Sequence, residues 1–205
     1  MKSRSKDIII RTSKDFVQKP WKNGGGMTEE LVAFPNAENY LWRISVASIR
    51  ESGPFSLFEG FERVLIPLEG DIVLKHDGTK PVKLEVLKPY YFKGDWKTQC
   101  TLESAQAKDF NVIYRPGAVD VGIEVTTLEE EISVQKIGHR HFIYCVKGSC
   151  QFSEQEVGSH TLVEVVGDPR CTFGTRHREH PRHPERREGS HPNATIIQVT
   201  ITSKT

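Results

Sequence analysis

The sequence predicts an all-β protein of antiparallel sheets, arranged as a sandwich or barrel. Short apolar runs recur between clusters of Gly, Pro, Asn and Asp, and no segment sustains a helical period. The run-Gly-run pattern of Val64 to Leu74, centred on Glu69-Gly70, returns at Phe142 to Phe152 around Lys147-Gly148, 78 residues later. Such an echo spaces two related β units along one chain. With 205 residues, the chain can bury a real core without disulfide or metal staples.

In chain order, Ile8 to Arg11 is a short strand, and Asp15-Phe16-Val17 before Pro20 reads as a turn. It delivers Pro20-Trp21-Lys22-Asn23-Gly24-Gly25-Gly26-Met27-Thr28-Glu29-Glu30, whose three glycines free the backbone to approach another group or to turn N–H groups toward an anion. Its spacing fits neither a phosphate-binding Gly-x-x-x-x-Gly-Lys loop nor a dinucleotide Gly-x-Gly-x-x-Gly turn, since the lysine precedes the glycines. Leu31 to Phe34 is a strand closed by Pro35-Asn36. Leu41 to Ile49 is the clearest strand, with Trp42, Ile44 and Val46 on one face and Arg43, Ser45 and Ala47 on the other. After turn chemistry at Ser52 to Ser56, strands are expected at Arg63 to Leu68, Asp71 to Lys75, Val82 to Leu87, Tyr90 to Phe92, Cys100 to Leu102 and Phe110 to Tyr114, with a hairpin at His76-Asp77-Gly78. Thr195 to Ile201 answers Asn111 to Tyr114 in the second half. The stretch 175–193, rich in His, Arg, Pro and Glu, reads as a solvated loop.

A net charge of +1 on a 27% charged composition gives no global pull toward nucleic acid or membrane. The basic N-terminus leads into only Ile8-Ile9-Ile10, too short for a signal core or a span, so a soluble cytoplasmic protein is expected. Cys100, Cys145, Cys150 and Cys171 have no paired spacing. Cys145 and Cys150 are expected on opposite faces of one strand, as reduced thiols.

Four ordered blocks carry a resemblance. Pro20 to Gly26 with Thr28 and Glu30, Trp42 to Ala47, Gly53-Pro54-Phe55-Ser56 with Phe58, Gly60 and Arg63, and Asp109 to Val112 together resemble the HutD/Ves family of cupin-like proteins, over roughly residues 15–118. The resemblance implies a compact double cupin, with one unit over residues 1–120 carrying the site and a second over 121–205 packed against it. It also implies a link, in some members, to histidine utilisation, with formylglutamate or urocanate as suspected ligands, and in others to cold and stress response. No established catalytic activity comes with it.

Many cupins hold a metal through two His and a Glu in the first motif, the Glu seven residues before a β-turn glycine, and a His in the second. Counting back seven from Gly70 reaches Arg63, no His-x-His lies upstream, and the later histidine position falls near Lys97. Arginine offers a metal no lone pair, but its planar fork suits a carboxylate. Neither a metal nor another cofactor is therefore expected. With Arg43, Lys22 and Asn111 beside Arg63, and Trp21, Phe55 or Trp42 as apolar wall, the reading is a pocket for a small carboxylate. The candidate ligand-binding set is Trp21, Lys22, Asn23, Gly25, Thr28, Glu30, Arg43, Ser45, Phe55, Ser56, Arg63 and Asn111.

The competing reading pairs Arg43 and Arg63 with Glu30, Glu62 or Asp109 as buried bridges. The His139-Arg140-His141 pair is out of register for cupin ligands and reads as a strand-edge pair. Two functions remain: a binder that senses a carboxylate metabolite, or a metal-independent isomerase or hydrolase with Glu30 as general base. A homodimer through a free sheet edge is a further expectation.

Overall fold

The structure is a computed structural model that describes residues 8–128, 132–134, 140–152, 155–165, 171–174 and 194–204. Every regular element among them is a β-strand. In chain order these are β1 (Ile8–Arg11), β2 (Val17–Pro20), β3 (Gly26–Phe34), β4 (Trp42–Ile49), β5 (Gly53–Pro54), β6 (Glu62–Glu69), β7 (Ile72–His76), β8 (Val82–Lys83), β9 (Tyr90–Lys93) and β10 (Thr98–Leu102). Then follow β11 (Ala107–Tyr114), β12 (Val119–Leu128), β13 (Ile132–Val134), β14 (Arg140–Lys147), β15 (Ser149–Phe152), β16 (Gln155–Gly158), β17 (Thr161–Val165), β18 (Cys171–Gly174) and β19 (Ala194–Ser203).

Two compact units emerge, and their boundaries are not simple halves of the chain. One comprises Lys14–Val121 with Thr202–Thr205, the other Gly122–Ile201 with Met1–Ser13. The reason is strand pairing at the termini. β1 pairs antiparallel with β17, Ile8 opposite Val165, so the N-terminal strand belongs to the second unit. At the other end the Lys204 amide donates to the Ala118 carbonyl at 2.9 Å, and its ammonium meets Asp120 at 2.8 Å, which ties the tail to the first unit.

The first unit has a six-stranded sheet, β2-β3-β4-β11-β6-β9, and a four-stranded sheet, β5-β10-β7-β8. Between them lies a core of Ile49, Leu65, Phe92 and Ala107 from the first sheet and Ile72, Leu74 and Cys100 from the second, with Leu84 beside them. Each fully buried aliphatic side chain here contributes about 1.5–3 kcal/mol of transfer free energy. The opposite face of the six-stranded sheet, with Trp42, Ile44, Val46, Val64, Ile66, Phe110 and Val112, is also buried. The second unit repeats the scheme, with β1-β17-β14-β19-β12 over β13-β18-β15-β16. Its core gathers Ile143, Cys145, Val163, Val165 and Ile196 against Cys150, Phe152 and Val157. The run β9-β6-β11-β4 corresponds in order to β17-β14-β19-β12, and β5-β10-β7-β8 to β13-β18-β15-β16. The echo in the sequence therefore marks the junction between sheets in each unit: Gly70 and Gly148 turn the chain there with φ of 78° and 80°.

Several local expectations are corrected. Residues 82–87 are not one strand: only Val82–Lys83 pairs, and Leu87 adopts a φ of 62°. Val17–Pro20 is an edge strand rather than a turn, held by pairing with Met27 to Glu30. Gly53–Pro54, within the expected turn, pairs with β10. Cys145 and Cys150 lie on two strands, β14 and β15, and face the same core as free thiols. Among the described residues no helix is long and apolar enough to cross a membrane.

Candidate functional site

Strand register alone assembles the site. On the inner face of the six-stranded sheet, Thr28 lies opposite Ala47 and Glu30 opposite Ser45. Across the next ladder Ser45 faces Asn111, Ala47 faces Asp109 and Arg43 faces Ile113, which in turn faces Arg63 on β6. Directly opposed residues share a face, so four strands deliver a hydroxyl-, amide- and guanidinium-rich patch beside the apolar core. A bulge after Glu30 restores the alignment of Ala33 with Arg43. Another, at Lys108/Asp109, lies where β11 meets β6.

Over this patch opens a cavity of about 670 Å³. Its lining includes Trp21, Lys22, Asn23, Thr28, Arg43, Ser45, Phe55, Ser56, Arg63 and Asn111, ten of the twelve residues expected from the sequence. Lys19, Ala47, Pro54, Phe58, Asp109 and Ile113 join them. Gly25 and Glu30 do not line it. Glu30 is buried and held by Lys19, whose ammonium lies 2.7 Å from its Oε2. Trp42 is not a wall residue either: it projects from the other face of β4, 1% exposed.

The glycine run forms the β2–β3 hairpin tip, and its amides are spent internally. Trp21 N–H donates to the Gly26 carbonyl, Gly24 N–H to the Trp21 carbonyl and Gly25 N–H to Asn23 Oδ1, at 3.0–3.1 Å. An anion nest built from these groups is therefore excluded. The loop instead positions Trp21, whose indole N–H donates to Thr28 Oγ1 at 2.9 Å and whose ring meets Phe55 edge-on at 6.1 Å. Gly26 makes room for that ring, since a β-carbon there would lie 2.9 Å from it and 2.7 Å from the Ser48 carbonyl. Gly26→Ala is expected to destabilise the protein by about 1–3 kcal/mol and to displace Trp21, read as a lowered Tm with altered tryptophan fluorescence.

Arg63 is the centre of the floor. It is 7% exposed, donates through Nη2 to Asn111 Oδ1 at 3.0 Å, and lies against three rings, with its guanidinium carbon 4.7 Å from the Phe92 centroid, 5.1 Å from Phe58 and 5.2 Å from Phe55. Asn111 Nδ2 donates onward to Asp109 Oδ1. Burial, partly offset by Asp109, lowers Arg63 to about 10, which leaves it cationic at neutral pH. Burial pushes Asp109 up to about 7 despite Arg63 and the Asn111 hydrogen bond. Arg43 sits 5.0 Å from the Tyr40 ring and 5.4 Å from Phe58.

Among the described residues neither Arg43 nor Arg63 forms a direct ion pair, and the Nε of each is buried without a hydrogen-bond partner. Glu62 is engaged elsewhere, accepting from the Tyr114 hydroxyl at 3.0 Å. The expectation of buried bridges to Glu30 or Glu62 is thus not met, and the acidic partner of Arg63 is reached only through Asn111. Asp109 is the acidic residue of the lining that the candidate set lacks. Its signal was its place two residues before Asn111, on the same strand face.

Nearby, His76 is buried, with Nδ1 2.8 Å from Thr98 Oγ1 and Nε2 3.0 Å from the Tyr90 hydroxyl. Since Thr98 donates its proton to the Trp96 carbonyl, Nδ1 carries the imidazole proton and Nε2 accepts from Tyr90. Both nitrogens are thereby engaged. Among the described residues no three His, Cys, Asp or Glu side chains gather as a metal ion would require. His141 accepts from or donates to Thr200 Oγ1 at 3.3 Å through Nδ1. His139 and the histidines of 175–193 lie outside the described residues.

Comparison with known proteins accords with this fold. Over 112 residues the chain is 38% identical to an uncharacterised 21.2 kDa protein in the hutC 3′ region of Pseudomonas putida, covering 53% of this chain and 59% of that one. Over 98 residues it is 40% identical to protein Ves of Citrobacter koseri, covering 46% and 51%. The match thus spans just over half the length of these curated relatives. Among solved structures, HutD from Pseudomonas fluorescens SBW25 (formate condition) superposes with a TM-score of 0.78 at 26% identity, over 97% of this chain and all of that one (100%). The bacterial pirin YhhW of Escherichia coli, in complex with nickel(II), superposes at 0.66 with 10% identity, over 94% and 98%, a likeness of cupin-like fold alone. The HutD family model matches residues 13–173, and the chain belongs to the HutD family.

Proposed function

We propose that this protein is a double cupin that binds a small carboxylate metabolite in the first unit's cavity and acts as a sensor or regulator of that metabolite. The observation that carries the reading is the convergence of buried Arg63 and half-buried Arg43 on one cavity, each with a buried Nε–H that lacks a hydrogen-bond partner. An unsatisfied buried donor costs about 1–3 kcal/mol, and a carboxylate supplies the missing acceptors together with the missing charge. Trp21, Phe55 and Phe58 furnish apolar wall, and Lys22 a further cation at the rim. Repetition of one strand order in both units supports the double-cupin reading. Membership of the HutD family favours a metabolite of histidine utilisation, with N-formylglutamate and urocanate as first candidates.

The enzyme alternative weakens in its original form, because Glu30 is ion-paired to Lys19 and does not line the cavity. A general base must reach the proton it removes. The test is a thermal-shift and calorimetric screen against N-formylglutamate, urocanate, glutamate and histidine, with product analysis of every hit. The expected result is a ligand that raises Tm and is recovered unchanged. Turnover would move the protein to the enzyme class, and no stabilisation by any carboxylate would overturn the reading.

A further inference from the structure

We propose that Asp109 is the specificity-determining group of the cavity: when a carboxylate docks on Arg63, Asp109 takes up one proton from solvent, so the site holds the anion and a proton together. This rests on the carboxylate-binding reading above. Asp109 is 1% exposed yet lines the cavity, and among the described residues the amide of Asn111 links it to Arg63, donating to Asp109 Oδ1 and accepting from the guanidinium. Before a ligand arrives, Asp109 is therefore the counter-charge that Arg63 feels at one remove. A ligand carboxylate in direct contact replaces it in that role. Two anions then share one buried cation, and the group without a direct cation contact gives up its charge.

The groups around Asp109 are consistent with that direction. On β6 Pro67 lies opposite it, with Arg63 further along the same face opposite Ile113, and on β4 Ala47 lies directly opposite with Ser45 and Arg43 further along that face. On β10 is Cys100, whose thiol is pushed to about 12 by burial and by Asp109 itself, so it stays protonated. Lys19 and Lys22 line the cavity, but Lys19 is committed to Glu30. His76, held low by burial and then by Arg63, adds no positive charge near neutrality. Burial already holds Asp109 up at about 7, so a further modest rise on binding has a visible effect. Once protonated, Asp109 keeps Oδ1 as acceptor for Asn111 and presents an O–H, which suits a ligand with a carbonyl or second oxygen beside its carboxylate and disfavours one with an ammonium there.

The test is a tryptophan-fluorescence titration of the full chain with acetate, which stays anionic throughout, at pH 6, 7 and 8. The expected result is a Kd that rises roughly five- to tenfold from pH 6 to pH 8, since one unit of pKa rise caps the total change at tenfold. Asp109→Asn keeps the acceptor for Asn111 and removes the proton site. Its Kd should be flat with pH and close to the wild-type value at pH 6. A pH-independent Kd in the wild type, a Kd that falls with pH, or a slope that survives in Asp109→Asn would overturn the proposal while leaving carboxylate binding intact. Absence of acetate binding at every pH would overturn both.

Discussion

Arg63→Ala is expected to abolish measurable carboxylate binding. The guanidinium is the buried cation at the centre of the floor, held by Asn111 and three phenylalanine rings, so its direction is fixed before a ligand arrives. Removing one partner of a desolvated charge pair typically costs about 2–5 kcal/mol, or roughly thirty- to several-thousand-fold in Kd. Calorimetry on the ligands that stabilise the wild type checks this. Arg63→Met, which keeps most of the apolar stem among Phe55, Phe58 and Phe92, separates lost charge from lost packing: it should fold with near-normal Tm and still fail to bind. Arg63→Lys should recover only part of the affinity, because a point charge cannot reproduce the planar fork. Normal affinity in Arg63→Met would remove Arg63 from the site.

The second large effect lies in the scaffold. Gly70→Ala is expected to destabilise the protein by about 3–5 kcal/mol, at the upper end for a single substitution. Gly70 has a φ of 78°, and a β-carbon there would lie 2.3 Å from the Gln106 carbonyl and 2.9 Å from the Ala107 α-carbon, both backbone atoms that cannot swing away. The strain of a left-handed residue, about 1–2 kcal/mol, adds to that clash. Because Gly70 passes the chain from β6 to β7, displacing it pulls on Arg63 through its own strand. Chemical denaturation gives the stability change directly. Unchanged stability would mean that the junction between the sheets is looser than the geometry requires.

These two residues illustrate what could be read from the sequence. Gly70 and Gly148 stood out because each interrupts an apolar run at the same relative place, and both serve as left-handed junctions between sheets. Arg63 could be placed by counting from that glycine, and the alternation along Trp42 to Ile49 separated Arg43 and Ser45 from the apolar face, as the register bears out. Other features depended on long-range pairing that no local pattern contains. The N-terminal strand joins β17, some 150 residues away, because an edge there needs a partner. The short β5 and the edge strand β2 exist only through their neighbours. Glu30 sits on the correct face, but Lys19 across the hairpin claims it, and alternation says nothing about partners. Asp109 went unselected because a carboxylate next to two arginines reads as a bridge, whereas Asn111 stands between them.

The most direct test is a crystal structure of the protein with a stabilising carboxylate bound. The account predicts a carboxylate oxygen within hydrogen-bond distance of Arg63 Nε, with Trp21 and Phe55 against the rest of the ligand and Asn111 still bridging to Asp109. A ligand held elsewhere, with Arg63 contacting only Asn111 and its three rings, would contradict it.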